Sequence, residues 1–225
     1  RIFMNKVLVV AVHPDDETLG CGGTLLKHKE DGDEIHWLIA TEIKESDGFD
    51  KEAVARRDSE INKVVNFYNF DSVNRLNIST TKVDEVSTSY LINQISSIVS
   101  RVKPNVVYLP FKSDVHSDHK YIFNAVYSCT KSFRYPFIKK IYMMETLSET
   151  EFALSTKEES FVPNVFVDIS CYIGKKIEAM NIYKGEMGIH PFPRSEKNIK
   201  AISTFRGATS GCEYAESFML LKEIK

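Results

Sequence analysis

Apolar positions along this chain fall into two rhythms. Short runs of about four to seven predominantly apolar residues, bounded by polar, glycine or proline breaks, predict strands over 6–12, 34–40, 71–76, 106–109, 138–144, 165–169 and 214–220. Between them, apolar residues recur at helical spacing. Val54, Ile61, Val64, Val65 and Tyr68 predict a helix over 51–68, and Leu91, Ile95, Ile98, Val99 and Val102 predict one over 90–102. Ile122, Phe123, Val126 and Tyr127 predict another, and helices are expected after the first strand, over 171–183 and over 196–205. Gly32 suits a left-handed cap on the first helix. The stretch 145–160 is polar and acidic and reads as a mobile excursion. Strands alternating with helices predict a three-layer, Rossmann-like α/β fold. Its sheet is mostly parallel, and its site lies at the C-terminal ends of the strands. No internal repeat or domain boundary appears, so one domain over 1–225 is expected, with Arg1-Ile2-Phe3 read as a remnant ahead of Met4.

Two strand ends break the pattern in the same way. The first strand runs into His13-Pro14-Asp15-Asp16-Glu17, and Pro14 ends its ladder. Residues 106–109 run into Pro110 and a polar loop, then His116-Ser117-Asp118-His119. Three adjacent carboxylates are tolerated on a solvated turn or beside a cation, and His13 favours the cation. In a parallel sheet both strand ends share one edge, so two clusters about a hundred residues apart can converge. Imidazole and carboxylate together suit zinc with an open position for water. His13 and Asp16 are three residues apart, as are His116 and His119, and spacing alone does not choose between the last two.

Composition narrows the setting. Lys plus Arg is 29 and Asp plus Glu is 31, for a net charge of -2, which argues against a nucleic-acid surface. The four cysteines, Cys21, Cys129, Cys171 and Cys212, form no C-x-x-C pair, and a reducing cytoplasm fits them best. No apolar stretch approaches a membrane span, and no signal peptide is visible. His36 reads as structural and His28 as a surface residue. Of the adjacent Arg56 and Arg57, which point to different faces, one can reach the site. The loop His190-Pro191-Phe192-Pro193-Arg194-Ser195 reads evenly as a substrate-side or a packed surface loop, with His190 and Arg194 as candidate contacts to a sugar hydroxyl or phosphate.

His13-Pro14-Asp15-Asp16-Glu17 followed by His116-x-Asp118-His119 resembles the PIG-L/LmbE-type zinc N-deacetylases, which remove acetyl groups from N-acetylglucosamine-containing molecules. Thr18-Leu19-Gly20-Cys21-Gly22-Gly23, Arg57-x-x-Glu60 and Ala215-Glu216-x-Phe218 extend the resemblance along nearly the whole chain. It implies one zinc ion per chain held by His13, Asp16 and His119. It further implies Asp15 as general base, His116 as general acid or oxyanion stabiliser, Asp118 as the residue tuning His116, and Arg57 as a substrate-binding residue. The implied substrate is a small N-acetyl amino sugar, and some relatives form hexamers, which leaves a homo-oligomer open. Ser117 stands where the family often has proline, which leaves ligands and acid in place. Alternatives are an amidase on another N-acyl or thiol-linked sugar, and a non-catalytic nucleotide- or sugar-binding module. The glycines do not form G-x-G-x-x-G directly after the strand, which weakens the last.

Overall fold

A computed structural model describes residues 4–225, so the reading of residues 1–3 falls outside it. Seven strands form one sheet: β1 (Lys6–Ala11), β2 (Glu34–Glu42), β3 (Ser72–Ser79), β4 (Val106–Leu109), β5 (Lys140–Met144), β6 (Val165–Asp168) and β7 (Ala215–Glu223). Their order is β3-β2-β1-β4-β5-β7-β6, and β7 alone runs antiparallel to its neighbours. Six helices connect them: α1 (Asp16–Glu30), α2 (Lys51–Tyr68), α3 (Thr88–Val102), α4 (Ser117–Ser128), α5 (Ile173–Met180) and α6 (Glu196–Ser210).

The alternation of β1 divides the core. Val7, Val9 and Ala11 pack on one face with Leu25, Ile61, Val64, Ile177 and Ile199, from α1, α2, α5 and α6. Leu8, Val10 and Val12 pack on the other with residues of α3 and α4. A strand buried on both faces must be apolar throughout, which is why β1 is a continuous run rather than an alternating one. Helix ends follow local chemistry. Asp50 accepts from the Ala53 amide, Ser87 from Tyr90 and Ser195 from Asn198, each at a helix N-terminus. Gly32 follows α1 at φ 83, as its position predicts.

The strand order reverses between β1 and β4, which pair in register from Val7 with Val106 to Val9 with Tyr108. The two motif-bearing strand ends are therefore immediate neighbours at the switch point of the sheet.

Two expectations are corrected. Of residues 145–160, the first six do not stand off as an excursion, whereas 151–160 are largely exposed. Thr146, Leu147 and Thr150 are buried, the Thr150 hydroxyl donates to Asp114 Oδ1 at 2.7 Å, and Glu145 pairs with Arg206. His28 is not a surface residue either, because its ring bridges Asp33 Oδ2 (2.7 Å) and the Tyr108 hydroxyl (2.9 Å). His36 is structural, with Nδ1 2.8 Å from the Ser72 hydroxyl.

Candidate active site

The turn after β1 is neither solvated nor relaxed. Asp15, Asp16 and Glu17 are 5%, 3% and 0% exposed, which removes the surface-turn reading of the acidic run. Asp15 adopts φ 136, ψ −26, a region that a side chain with a Cβ occupies only when its surroundings impose it. Those surroundings are identifiable. Glu17 Oε2 accepts the Asp15 amide at 3.0 Å, and the Asp15 carbonyl accepts from Thr18 and Leu19 at 3.0 and 2.9 Å. Asp16 Oδ2 accepts the His13 amide at 2.8 Å. Glu17 is held in turn by hydroxyl donors, Thr18 at 2.8 Å and Tyr183 at 2.7 Å. Burial pushes its carboxyl up to about 7 against those hydrogen bonds.

Behind the turn, α1 is broken at Cys21, whose φ −149 and ψ 26 are not helical. The break exposes a second set of amide donors, and Glu216 from β7 caps them. Its carboxylate accepts from Gly23 N (2.9 Å), Thr24 N (2.7 Å) and the Thr24 hydroxyl (2.6 Å). Lys176, also buried, donates to Glu216 (2.7 Å) and to the Leu19 carbonyl (2.8 Å). Gly23 is required here, because a Cβ would lie 2.6 Å from Ile169 Cγ2.

The second strand end completes the cluster. His13, Asp16 and His119 each present one atom within 4.8 Å of the others, and so do His13, His116 and Asp118. His119 tests whether a cation fits. It is wholly buried and donates through Nδ1 to Asp114 Oδ2 at 2.8 Å. Its Nε2 then turns a lone pair toward Asp16 Oδ2, 3.3 Å away, and makes no hydrogen bond. Two acceptors facing each other in a buried site call for positive charge between them. A proton answers the same call as a metal ion would: burial opposes charge on both groups, yet each outweighs it in the other, lowering Asp16 to about 2 and raising His119 well above the imidazole range. His13 Nε2 lies 3.3 Å from Asp118 Oδ2, which leaves Nδ1 as the nitrogen on the Asp16 side, 3.9 Å from Oδ2. Both imidazoles of the first cluster thus have a carboxylate on the opposite nitrogen, the usual means of fixing a metal-binding tautomer.

Asp118 serves His13 as well as the His116 beside it. Its Oδ2 is nearer His13 Nε2 (3.3 Å) than His116 Nδ1 (3.9 Å). It also accepts from the Thr81 and Val83 amides at 2.7 and 3.3 Å, tying the loop after β3 to the site. His116 is also fixed by the start of α4. Its Nδ1 accepts the Asp118 amide at 3.1 Å, which places the proton of the neutral ring on Nε2. Burial first, and then the neighbouring His13, hold His116 below the ordinary imidazole range. Burial, with the Asp16 and Glu186 carboxylates, holds Asp15 well above the carboxylate range.

These groups open into a cleft of ≈ 340 Å³ lined by His13, Asp15, Asp16, Arg57, His116 and Arg194, among others. Arg57 reaches it from α2, while Arg56 is exposed. Of the 190–195 loop, Arg194 lines the cleft, whereas His190 is exposed and outside the lining. Ser148, Glu149 and Glu186 also line it without having been anticipated. Asp114 had a visible signal, an acid in the same polar loop as His116. Glu186 had none, since it is a single acid in a glycine-flanked turn.

The family model described as PIG-L, GlcNAc-PI de-N-acetylase, matches residues 8–130. The chain is 22% identical over 228 residues to diacetylchitobiose deacetylase of Thermococcus kodakarensis, spanning 98% of this chain and 85% of that protein. The structure of N,N'-diacetylchitobiose deacetylase from Pyrococcus horikoshii, complexed with an inhibitor, matches with a TM-score of 0.76 at 20% identity, over 97% of this chain and 84% of that one. A 4-carboxy-2-hydroxymuconate hydratase from Pseudomonas putida also matches with a TM-score of 0.76, at 16% identity, over 99% and 98% of the two chains. The fold therefore carries more than one chemistry, and the reaction must be argued from the site. With the family model covering more than half of the sequence and both motifs within it, the chain belongs to the PIG-L, GlcNAc-PI de-N-acetylase family and is a hydrolase of the deacetylase class.

Proposed function

We propose that this chain is a zinc-dependent N-deacetylase acting on an N-acetylglucosamine-type sugar or its conjugate. The observation that carries the reading is the buried, unpartnered Nε2 of His119 facing Asp16, with His13 beside it and Asp15 on the same cleft. His13, Asp16 and His119 would hold the ion, oriented by Asp118 and Asp114. Bound there, zinc supplies Lewis acidity toward the amide carbonyl and acidifies water at neutral pH.

The remaining steps belong to the chain's own side chains. Asp15, fixed in its strained turn, takes the proton from the attacking water as the C–O bond forms. His116, with Nε2–H available, hydrogen-bonds the developing oxyanion. The C–N bond breaks as the proton held by the Asp15 carboxyl passes to nitrogen, so acetate and a free amine leave and Asp15 is again a carboxylate. Arg57 is anchored on the catalytic turn itself, donating to the Pro14 carbonyl at 3.1 Å, and so positions substrate relative to Asp15.

The test is acetate release from N,N'-diacetylchitobiose and N-acetylglucosamine, with metal content measured on the same sample. About one zinc per chain, with release abolished by a chelator and restored by zinc, is expected. A metal-loaded chain that releases no acetate from any N-acetyl sugar would refute the reading.

A further inference from the structure

We infer that the cleft selects an uncharged sugar over a phosphorylated one, and that Glu186 is the residue that sets this preference. The inference deepens the deacetylase reading and rests on it for the sugar class.

A phosphate ligand is held by cations whose donors are free to meet it. Arg57 and Arg194 are the lysine or arginine side chains lining the cleft. Each has all three of its nitrogens turned to a protein oxygen, which engages three of its five N–H donors. Arg57 faces Glu60 Oε2 through Nε (3.4 Å), the Pro14 carbonyl through Nη1 (3.1 Å) and Glu186 Oε1 through Nη2. Arg194 faces the Glu186 carbonyl through Nε (2.8 Å), the Ser148 hydroxyl through Nη1 (2.9 Å) and Glu186 Oε2 through Nη2 (3.0 Å). Every guanidinium nitrogen in the cleft already faces a protein oxygen, and one carboxylate divides its two oxygens between both arginines. Lysines just outside the cleft are engaged as well. Lys44 donates to the Asn77 carbonyl (2.6 Å) beside Glu42, and Lys82 donates to Asp47 (2.7 Å).

A phosphate entering this wall would have to compete with Glu186 for both arginines and lie against its charge, with Asp15 and Glu149 lining the same cleft. A sugar hydroxyl meets no such barrier. It both donates and accepts, and an alternating guanidinium–carboxylate array offers it both partners without breaking a pair. Glu186 thus converts two potential phosphate clamps into a polyol-binding surface.

The experiment uses ligands that cannot be deacetylated, so turnover does not intrude. Glucosamine and glucosamine 1-phosphate are titrated by calorimetry into the zinc-loaded chain and into its Glu186→Gln variant. The ammonium group is common to both ligands and any contact of the phosphate with zinc is common to both proteins, so the change in the gap between the two proteins isolates the effect of Glu186. Glucosamine is expected to bind the unaltered chain at least tenfold more tightly than its 1-phosphate, and Glu186→Gln to narrow that gap at least tenfold. Equal or tighter binding of the phosphate by the unaltered chain would overturn the inference without recourse to a variant. So would an unchanged gap in Glu186→Gln, or no saturable binding of glucosamine. Acetate release by the same preparations reports separately on the deacetylase reading. Its absence beside an intact gap would sink that reading and leave the selectivity standing.

Discussion

The floor and the wall of the cleft are built by different rules. The floor comes from two short motifs at neighbouring strand ends, where His13 and Asp16, three apart, meet His119 at one point and main-chain hydrogen bonds fix each turn. The wall comes from Arg57, Ser148, Glu186 and Arg194, joined by ion pairs and hydrogen bonds across as many as 129 residues of chain. The floor places the bond-breaking groups, and the wall decides what is offered to them. Local geometry writes the first into contiguous sequence, while the second exists only once distant segments meet.

Three substitutions test that division, in decreasing size of effect. Asp15→Asn keeps the strained turn and the metal cluster but removes the base. It is expected to lower kcat by about 10²–10⁴-fold, with zinc content unchanged; near-normal turnover would remove Asp15 from the reaction. Glu216→Ala cuts across the division, because a residue of the last strand holds up the floor. It strips the cap from the broken helix and strands Lys176 as a buried charge. A loss of about 3–5 kcal/mol in unfolding free energy is expected, read from urea denaturation; an unchanged midpoint would show that the floor does not depend on that strand. Ser148→Ala touches the wall alone, where its hydroxyl accepts from Arg194. A cost of about 1 kcal/mol or less is expected, appearing as a few-fold rise in KM with kcat held; a fall in kcat instead would mean that the wall takes part in the chemistry.

How much was legible follows the same boundary. The strand at 106–109 and the helix at 51–68 were readable to the residue, because a proline or an N-cap stands at their edges. Spacing brought His13 and Asp16 together and left His116 and His119 as alternatives, the resemblance chose His119, and His13, Asp16 and His119 do meet within 4.8 Å. The resemblance paired Asp118 with His116, and no spacing announced that the same carboxylate lies nearer His13. His190 drew attention as a histidine in a rigid loop and lies outside the cleft, whereas Glu186, four residues earlier, lines it. No periodicity or spacing marks such a residue, because its role is set by two arginines that reach it from elsewhere. The start of the polar stretch after β5 was misread for a related reason: Thr146 and Thr150 are buried, Thr150 on an aspartate 36 residues away, and composition alone resembles a solvated loop.

The broken first helix has a consequence for how the protein comes into being. Its downstream half is capped by a carboxylate 192 residues later in the chain, carried on a strand that inserts between two others. A ribosome that has released both catalytic motifs has not yet released that cap. Until β7 threads into its slot, the turn bearing Asp15 rests on a helix with unsatisfied amides, so maturation of the reaction centre waits for a strand made long after the centre's own residues have emerged.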